Sequence, residues 1–433
     1  MSLAFGAIPS KKIAVIGAGI SGLGAAYALS ACHHVTLIEA EPRLGGHART
    51  IMAGKNGNQP VDTGFIVYNL QNYPNVSRLF RELDVPVVES TMSFGVSIDN
   101  GRLEYALNSI DSLFAQRKNL FTFHFLRMVR DILRFNARAL AMVDRQMQMT
   151  IGELLIVLRS GAWFRDYYLL PLSGAIWSTP THDILNFPAR TMVQFLHNHG
   201  LLRYYGQHQW YTIQGGSIEY VRRMEAVMVE RGVEIRLGSP VRAVQRSLGG
   251  VQVKCAGGDW EVFDAVVFAT HSDDALRLLV DPSTEEMRAL GAIQFQANDI
   301  VVHADASVMP KRRKTWASWI YSPESSAVTD RIGLTYWMNS LQPIPRDDPH
   351  FVTLNSERRI SEKLIYDQAA FSHPVFTLEA VSAQNAIQSF NGRNATWYCG
   401  AWMRHGFHED GLASALSVVE SLNRSARRPA VPE

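Results

Sequence analysis

The sequence predicts an α/β fold with a further portion that mixes helices and strands. Three observations carry this. Two short, mainly apolar runs, 13–16 (IAVI) and 35–38 (VTLI), flank a glycine-rich turn and a small-residue helix. The stretch 105–230 is patterned for helices, whereas 233–270 breaks into short strands punctuated by glycine. A last apolar strand near 395–402 precedes a carboxyl-terminal helix. Apolar runs of four to eight residues suit parallel strands that are covered on both faces.

Composition supports a packed protein. The chain has 433 residues, 47% of them hydrophobic and 19% charged, with 9 Trp, 14 Tyr and 20 Phe. Such a chain builds large cores, which excludes a disordered chain, a collagen-like fibre and a disulfide-stapled miniprotein. Its length suggests two or three domains of about 150 residues each. Net charge is +2, from 42 Lys and Arg against 40 Asp and Glu, so nothing favours a nucleic-acid partner. Cys32, Cys255 and Cys399 lie far apart without metal-ligand spacing. They suggest a reducing compartment and no metal site. The amino terminus lacks a basic region before an apolar run, so no secretory leader is expected and a cytoplasmic location is.

The first element is the strand 13–16 after Lys11 and Lys12, then the turn GAGISGLG, then a helix through Ala25, Ala26 and Leu29. A second strand, 35–38, ends at Glu39. Residues 13–38 hold no Asp, Glu, Lys or Arg and are long enough to span a bilayer. Four glycines, then Ser30, Cys32, His33 and His34, interrupt the run, and strand–turn–helix–strand explains it better. Further on, strands are expected at 233–236, 241–246, 251–255, 260–263 and 265–269, with turns at Gly249-Gly250 and Gly257-Gly258. Strands are also expected within DIVVHAD and IGLTYWMN, and a helix within GFHEDGLASALSVVESL.

The turn carries chemistry. Gly17-x-Gly19-x-x-Gly22 follows a strand and opens a helix. Gly17 permits the tight turn, Gly19 lets a pyrophosphate approach the backbone, and Gly22 lets helix and sheet pack closely. Ala18, Ile20 and Ser21 complete the loop at the helix N-terminus, where N–H groups and the helix dipole favour phosphate. Glu39 lies 17 residues beyond Gly22, where a carboxylate accepts hydrogen bonds from ribose hydroxyls. This conjunction points to a dinucleotide.

The residues that follow, Glu39-Ala40-Glu41-Pro42-Arg43-Leu44-Gly45-Gly46-His47-Ala48-Arg49-Thr50, resemble the E-A-x-x-R-x-G-G-R signature of the flavin-containing amine oxidoreductase superfamily. That resemblance implies a Rossmann-type, amine-oxidase-like FAD-binding domain with an inserted α+β substrate domain. It places FAD against Glu39, Ala40, Arg43, Gly45, Gly46 and His47, with Thr63, Gly64 and Phe65 as the next turn. Val241 resembles the residue beside the adenine, and Ala269 and Thr270 end the strand that returns to the FAD sheet. Gly400, Gly411 and Leu412 resemble the last FAD motif. His47 stands where the family often has Arg, and Cys399 lacks the context of a covalent flavin link, so non-covalent FAD is expected. The implied division is 1–95, 225–275 and 395–425 for FAD, 96–224 and 276–394 for substrate, and 426–433 as a tail.

At finer grain, stretches such as GGHART, VDTGFIVYN, PLSGAIWSTP, HPVF and GFHEDGL resemble a bacterial subfamily of NAD/FAD-binding proteins. Its members are commonly encoded near cyclopropane-fatty-acid-synthase-like methyltransferases and are linked to desaturation of methylated acyl chains on the way to furan fatty acids. The resemblance therefore implies an FAD-dependent desaturase of unsaturated or methylated, lipid-bound acyl chains. Two other readings stay open: a flavin amine oxidase acting on a small amine, and an FAD-less lipid-binding escort resembling the Rab GDP-dissociation inhibitors. Substrate-side candidates are His47, His303, Tyr336, Trp337, Phe407, Asn339 and Trp402. Aromatic walls and a proton-moving His47 or His303 are one reading; packed core is the other.

Finally, Arg127, Arg130, Arg134 and Arg138 recur at helical spacing between Leu120 and Val143, among Phe121, Phe123, Phe125, Leu126, Val129, Leu133 and Leu140. Such a helix suits an anionic membrane surface, here the inner face as a peripheral site, or else a core contact with a solvated arginine face. The run Lys311-Arg312-Arg313-Lys314, with Trp316 and Trp319, is a second candidate contact.

Overall fold

A computed structural model describes residues 9–427 apart from 147, 178–182, 204–205, 207, 248 and 324–330. The leader reading at 1–8, part of PLSGAIWSTP and residues 428–433 of the tail lie outside these.

Five parallel strands form the central sheet. Their order is Glu234–Arg236, His34–Ile38, Lys12–Ile16, Ala265–Phe268 and Thr396–Tyr398. Alternation along these strands assigns their two faces. Ile13, Val15, Leu37 and Val267 pack with the helix Ile20–Leu29. That helix in turn packs on the carboxyl-terminal helix His408–Arg427. Ala14, Ile16, Ile38, Val266 and Phe268 face the other way, toward Val244, Val251 and Phe263. The latter three come from the antiparallel sheet Val241–Ser247, Gly250–Cys255 and Trp260–Phe263. The uncharged run 13–38 is thus apolar because both faces of two inner strands are covered. No helix among the described residues is long and apolar enough to cross a membrane.

A second sheet has seven strands. Its order is Ile365–Val375, Gln294–His303, Phe351–Leu354, Leu334–Trp337, Trp319–Tyr321, Phe94–Ile98 and Leu103–Ala106. Neighbours are antiparallel except Phe94–Ile98 beside Trp319–Tyr321. Helices Phe123–Arg145, Ile151–Val157, Leu170–Trp177 and Ala189–Asn198 lie between residues 107 and 209. The middle expected over 105–230 to be mostly helical also holds the strand Trp210–Ile213, which joins Val67–Asn69 and Val87–Ser90 in a small antiparallel sheet.

Candidate active site and its cofactor cradle

A cavity of about 770 Å³ runs from the glycine turn to the second sheet, toward the upper end of the range for small-molecule sites. At one end the helix Ile20–Leu29 begins at Gly19 with no side-chain cap, leaving the anion-favouring helix start to a ligand. Gly17 has φ +98°, and its N–H donates to the Ile38 carbonyl at 2.8 Å. A Cβ on Gly22 would stand 1.7 Å from the Gly17 carbonyl oxygen, whereas one on Gly19 would meet nothing within 4 Å. Gly22 is therefore a packing glycine, and Gly19 fronts open space. The Glu39 carboxylate accepts from Ala18 N–H at 2.6 Å and Glu41 N–H at 2.9 Å. Each of its oxygens keeps a second lone pair.

Of the residues expected on the cofactor path, Gly17, Ala18, Gly19, Ile20, Ser21, Glu39, Ala40, Arg43, Gly46, His47, Gly64, Phe65, Val241, Ala269, Thr270 and Gly400 line the cavity. Five do not, and each has a packing reason. Gly22 abuts Gly17. Gly45 donates to the Ala18 carbonyl at 2.8 Å. Thr63 bonds the Arg49 carbonyl through its hydroxyl. Gly411 lets its helix approach Ile20 and Ser21, and Leu412 packs on Gly24.

The segment 405–412 shows why its residues stand in that order. Gly406 turns the chain at φ +94°. Phe407 and His408 face the cavity, and the His408 ring stacks on Phe65 at 3.8 Å and 10°. Glu409 accepts from the N–H groups of Asn75 and Val76, capping the helix Pro74–Glu82 from across the chain. Asp410 accepts from Phe407 N–H at 3.0 Å and holds the turn.

The far end of the cavity is aromatic, with Trp177, Phe195, Trp210, Trp319, Tyr336, Phe371, Phe376 and Phe407 on its walls. Phe195 and Phe407 stack at 4.7 Å, and Trp319 meets Tyr336 edge-on at 5.3 Å. Six of the chain's 14 histidines line the same space: His47, His199, His271, His373, His405 and His408. Burial holds all six below the ordinary imidazole range. His199 and His373 are brought to about 4, and His408 to about 3. His47 is lowered by burial first and then by His373 and His271. These rings are neutral near pH 7, which makes His47 a weak proton acceptor.

The other substrate-side expectations divide. Tyr336, Phe407, Trp402 and His47 line the cavity; His303, Trp337 and Asn339 do not. His303 is fully buried, with Nε2 bonded to the Thr353 hydroxyl at 2.8 Å and Nδ1 accepting from Asp305 N–H. Trp337 packs against Trp316 beneath the Arg313 guanidinium. It follows Tyr336 on a strand, so it points to the opposite face. Asn339 braces the Pro345 and Asp348 carbonyls. The run 311–314 is also largely structural. Arg312 pairs with buried Glu104 at 2.8 Å, and Arg313 sits over Trp316 at 3.5 Å. Trp319 belongs to the cavity. The five other cavity histidines carry no signal of their own in the sequence, because an isolated histidine has no periodicity. HPVF and GFHEDGL were the available clues to His373 and His408.

The lowered imidazoles set a pH dependence. Below about pH 6.5 the unfolded chain binds protons that these rings refuse, so their stability share is full above that pH and falls as pH drops. Replacing His408 with Phe keeps a ring against Phe65 and removes one such site. In urea unfolding between about pH 6 and pH 4.5, His408→Phe is expected to reduce the slope of stability against pH by about 1.4 kcal/mol per pH unit. An unchanged slope would mean that His408 takes up its proton in the folded state.

Residues 20–354 match the family model described as flavin containing amine oxidoreductase. The chain belongs to that family. Its cofactor is FAD and it is an oxidoreductase. This sets aside the FAD-less escort reading. Among curated proteins, an L-amino-acid oxidase of Gloydius blomhoffii is 52% identical over 48 residues, 11% of this chain and 10% of that protein. The match thus spans about a tenth of that relative's length. Two solved structures share the fold along nearly the whole chain. The CLA-producing fatty acid isomerase from P. acnes has a TM-score of 0.68 and 13% identity, covering 95% of this chain and 98% of its own. Cyclohexylamine oxidase from Brevibacterium oxydans has a TM-score of 0.65 and 14% identity, covering 97% and 100%.

Proposed function

We propose that this family member desaturates an unsaturated or methyl-branched acyl chain carried by a lipid: one carbon would give up a hydride to the bound flavin, its neighbour would give up a proton to solvent, and a C=C bond would form between them. The supporting observation is the division of charge in the cavity. Its ionisable carboxylates and guanidiniums among the described residues are Glu39, Glu41, Arg43, Arg242, Asp274 and Arg277. All lie on the ends of the strands near the central sheet or on the helix Ser272–Leu278 that follows it. The opposite end offers aromatic rings and neutral imidazoles. An ammonium substrate entering there would meet no carboxylate on the wall, Asp410 lying buried behind Phe407 and His405, whereas an acyl chain needs none.

FAD supplies two-electron redox chemistry when bound. In this reading the turn Gly17–Ser21 would receive its pyrophosphate and the free lone pairs of Glu39 its ribose, with the Arg43 guanidinium, held by Glu41 at 2.9 Å, beside them. Gly46, His47, Gly64 and Phe65 border the path toward the aromatic end. Trp319 and Tyr336 then wall the chain beside the reacting carbon. The resemblance to a fatty acid isomerase in fold agrees with this reading, and a methyl-branched substrate would come from a methyl-transfer reaction.

The test is anaerobic mixing of the purified flavoprotein with phospholipids bearing saturated, unsaturated or methyl-branched chains. Bleaching of the flavin by unsaturated or branched lipids is expected, with none from putrescine or cyclohexylamine. Bleaching by the amines alone would transfer the assignment to amine oxidation.

A further inference from the structure

We infer that the face built by residues 107–138 docks on an anionic phospholipid surface. The inference goes beyond the acyl-chain reading and does not depend on it. Three large apolar side chains stand out in the solvent: Phe121 is 89% exposed, Ile110 77% and Phe123 71%. Leu120, Leu126 and Leu133 are exposed beside them. The 3-10 turn Arg117–Phe121 leads straight into the helix Phe123–Arg145. Asp111, next to Ile110, pairs with both Arg117 and Lys314, so these turns lie side by side. The opposite face of the helix is used up in the core, where Phe125, Met128, Ile132, Phe135, Ala139 and Val143 are buried. The outer apolar residues are therefore surplus to the fold.

Charge selects the occupant. Residues 107–138 contain six cationic side chains and two acidic ones. One acid, Asp131, has a side chain only 1% exposed and is shared by Arg127, Arg130 and Arg134 at 3.2–3.8 Å. The other, Asp111, is already paired. The solvent therefore sees aromatic and aliphatic tips among six cations that share two carboxylates, a local excess of positive charge. A bilayer with anionic headgroups takes both features at once: the tips enter the interface and the arginines reach phosphates. A two-fold contact with a second copy would set Arg127 and Arg130 toward their own mates, which repel. The face is also one helix from the cavity. Helix Ala189–Asn198 packs on Phe123–Arg145 and contributes Phe195 to the cavity wall.

The experiment is flotation of the FAD-loaded full chain with vesicles of phosphatidylglycerol or of phosphatidylcholine. The parent protein is expected to float with phosphatidylglycerol, to stay down with phosphatidylcholine, and to lose binding as salt rises. Phe121→Ser with Phe123→Ser is expected to weaken partitioning at least about tenfold, since each ring forfeits its buried area. Arg127→Gln with Arg130→Gln should remove the preference for the anionic lipid. The two Phe side chains are exposed, so flavin content and melting temperature should hold in that variant. Arg127→Gln with Arg130→Gln takes two partners from the buried Asp131 carboxylate and should lower the melting temperature, so flotation of both variants is run well below it, with flavin content and melting temperature measured alongside. Absence of flotation with phosphatidylglycerol, or equal flotation of the Phe pair variant, overturns the inference. So does a dimer in sedimentation velocity that the Phe pair variant splits. Flotation accompanied by bleaching with amines alone would keep this inference and reject the acyl-chain reading.

Discussion

Gly19→Ala is expected to fold like the parent and to purify without flavin. The backbone at Gly19 has φ −70° and ψ −176°, which alanine adopts freely. A Cβ at this position meets no protein atom within 4 Å. The unfolded chain loses some freedom, so stability should hold or rise by about 0.4–1 kcal/mol. The space that receives the methyl group is the mouth of the helix Ile20–Leu29, on the cavity wall. A pyrophosphate must approach that helix start to hydrogen-bond distance. Losing that approach should weaken FAD at least about 100-fold, or about 2.8 kcal/mol. The ratio of flavin to protein absorbance after purification measures it, with the melting temperature as control. Gly22→Ala is the contrast: its Cβ would lie 1.7 Å from the Gly17 carbonyl oxygen, so it should fail to fold. Stoichiometric flavin in stable Gly19→Ala would show that the dinucleotide takes another route.

The same contrast explains what the sequence made legible. The strand, the glycine turn, the helix and Glu39 lie within 28 contiguous residues, and local sterics fix them. The strands at 241–263 were readable because period-two apolar residues alternate with turns, and Gly250 and Gly257 have positive φ. The aromatic chamber was not. Its six histidines come from distant segments, and packing alone gathers them. Tyr336 and Trp337 are the instructive pair, because neighbours on a strand face opposite ways and just one of them could wall the cavity. Choosing between them requires the partner strand, Trp319–Tyr321, which puts Trp319 beside Tyr336. His303 stayed open between proton carrier and packed core because its partner Thr353 is 50 residues away. In the helix at 123–145 the arginine spacing was visible, but not that Asp131 turns inward among three of them.

Asp62→Ala should remove about 3–5 kcal/mol of stability, because it strands several donors around one buried carboxylate. Asp62 is 1% exposed. It accepts from the Thr50 hydroxyl at 2.5 Å, the Ser217 hydroxyl at 2.7 Å, the Ser217 N–H at 2.8 Å and the Gln342 amide at 2.8 Å. Ser217 precedes the helix Ile218–Glu230, so the carboxylate also faces a positive helix end. One side chain thus ties the hairpin 50–62, that helix and the segment carrying Gln342. Burial raises its carboxyl to about 6 against those donors. A raised carboxyl favours the folded state in acid and loses that contribution as pH rises through 6. Asp62→Asn keeps the volume but does not titrate, so its deficit against the parent should be largest near pH 4 and shrink above pH 6. Urea midpoints at the two pH values read this directly. The damage should also reach the site. Gly64 and Phe65, two and three residues on, line the cavity, and Phe65 carries the stacked His408 ring. Flavin retention in Asp62→Ala should therefore fall with stability. An unchanged urea midpoint would mean that the donors find other partners and that the wall stands without this carboxylate.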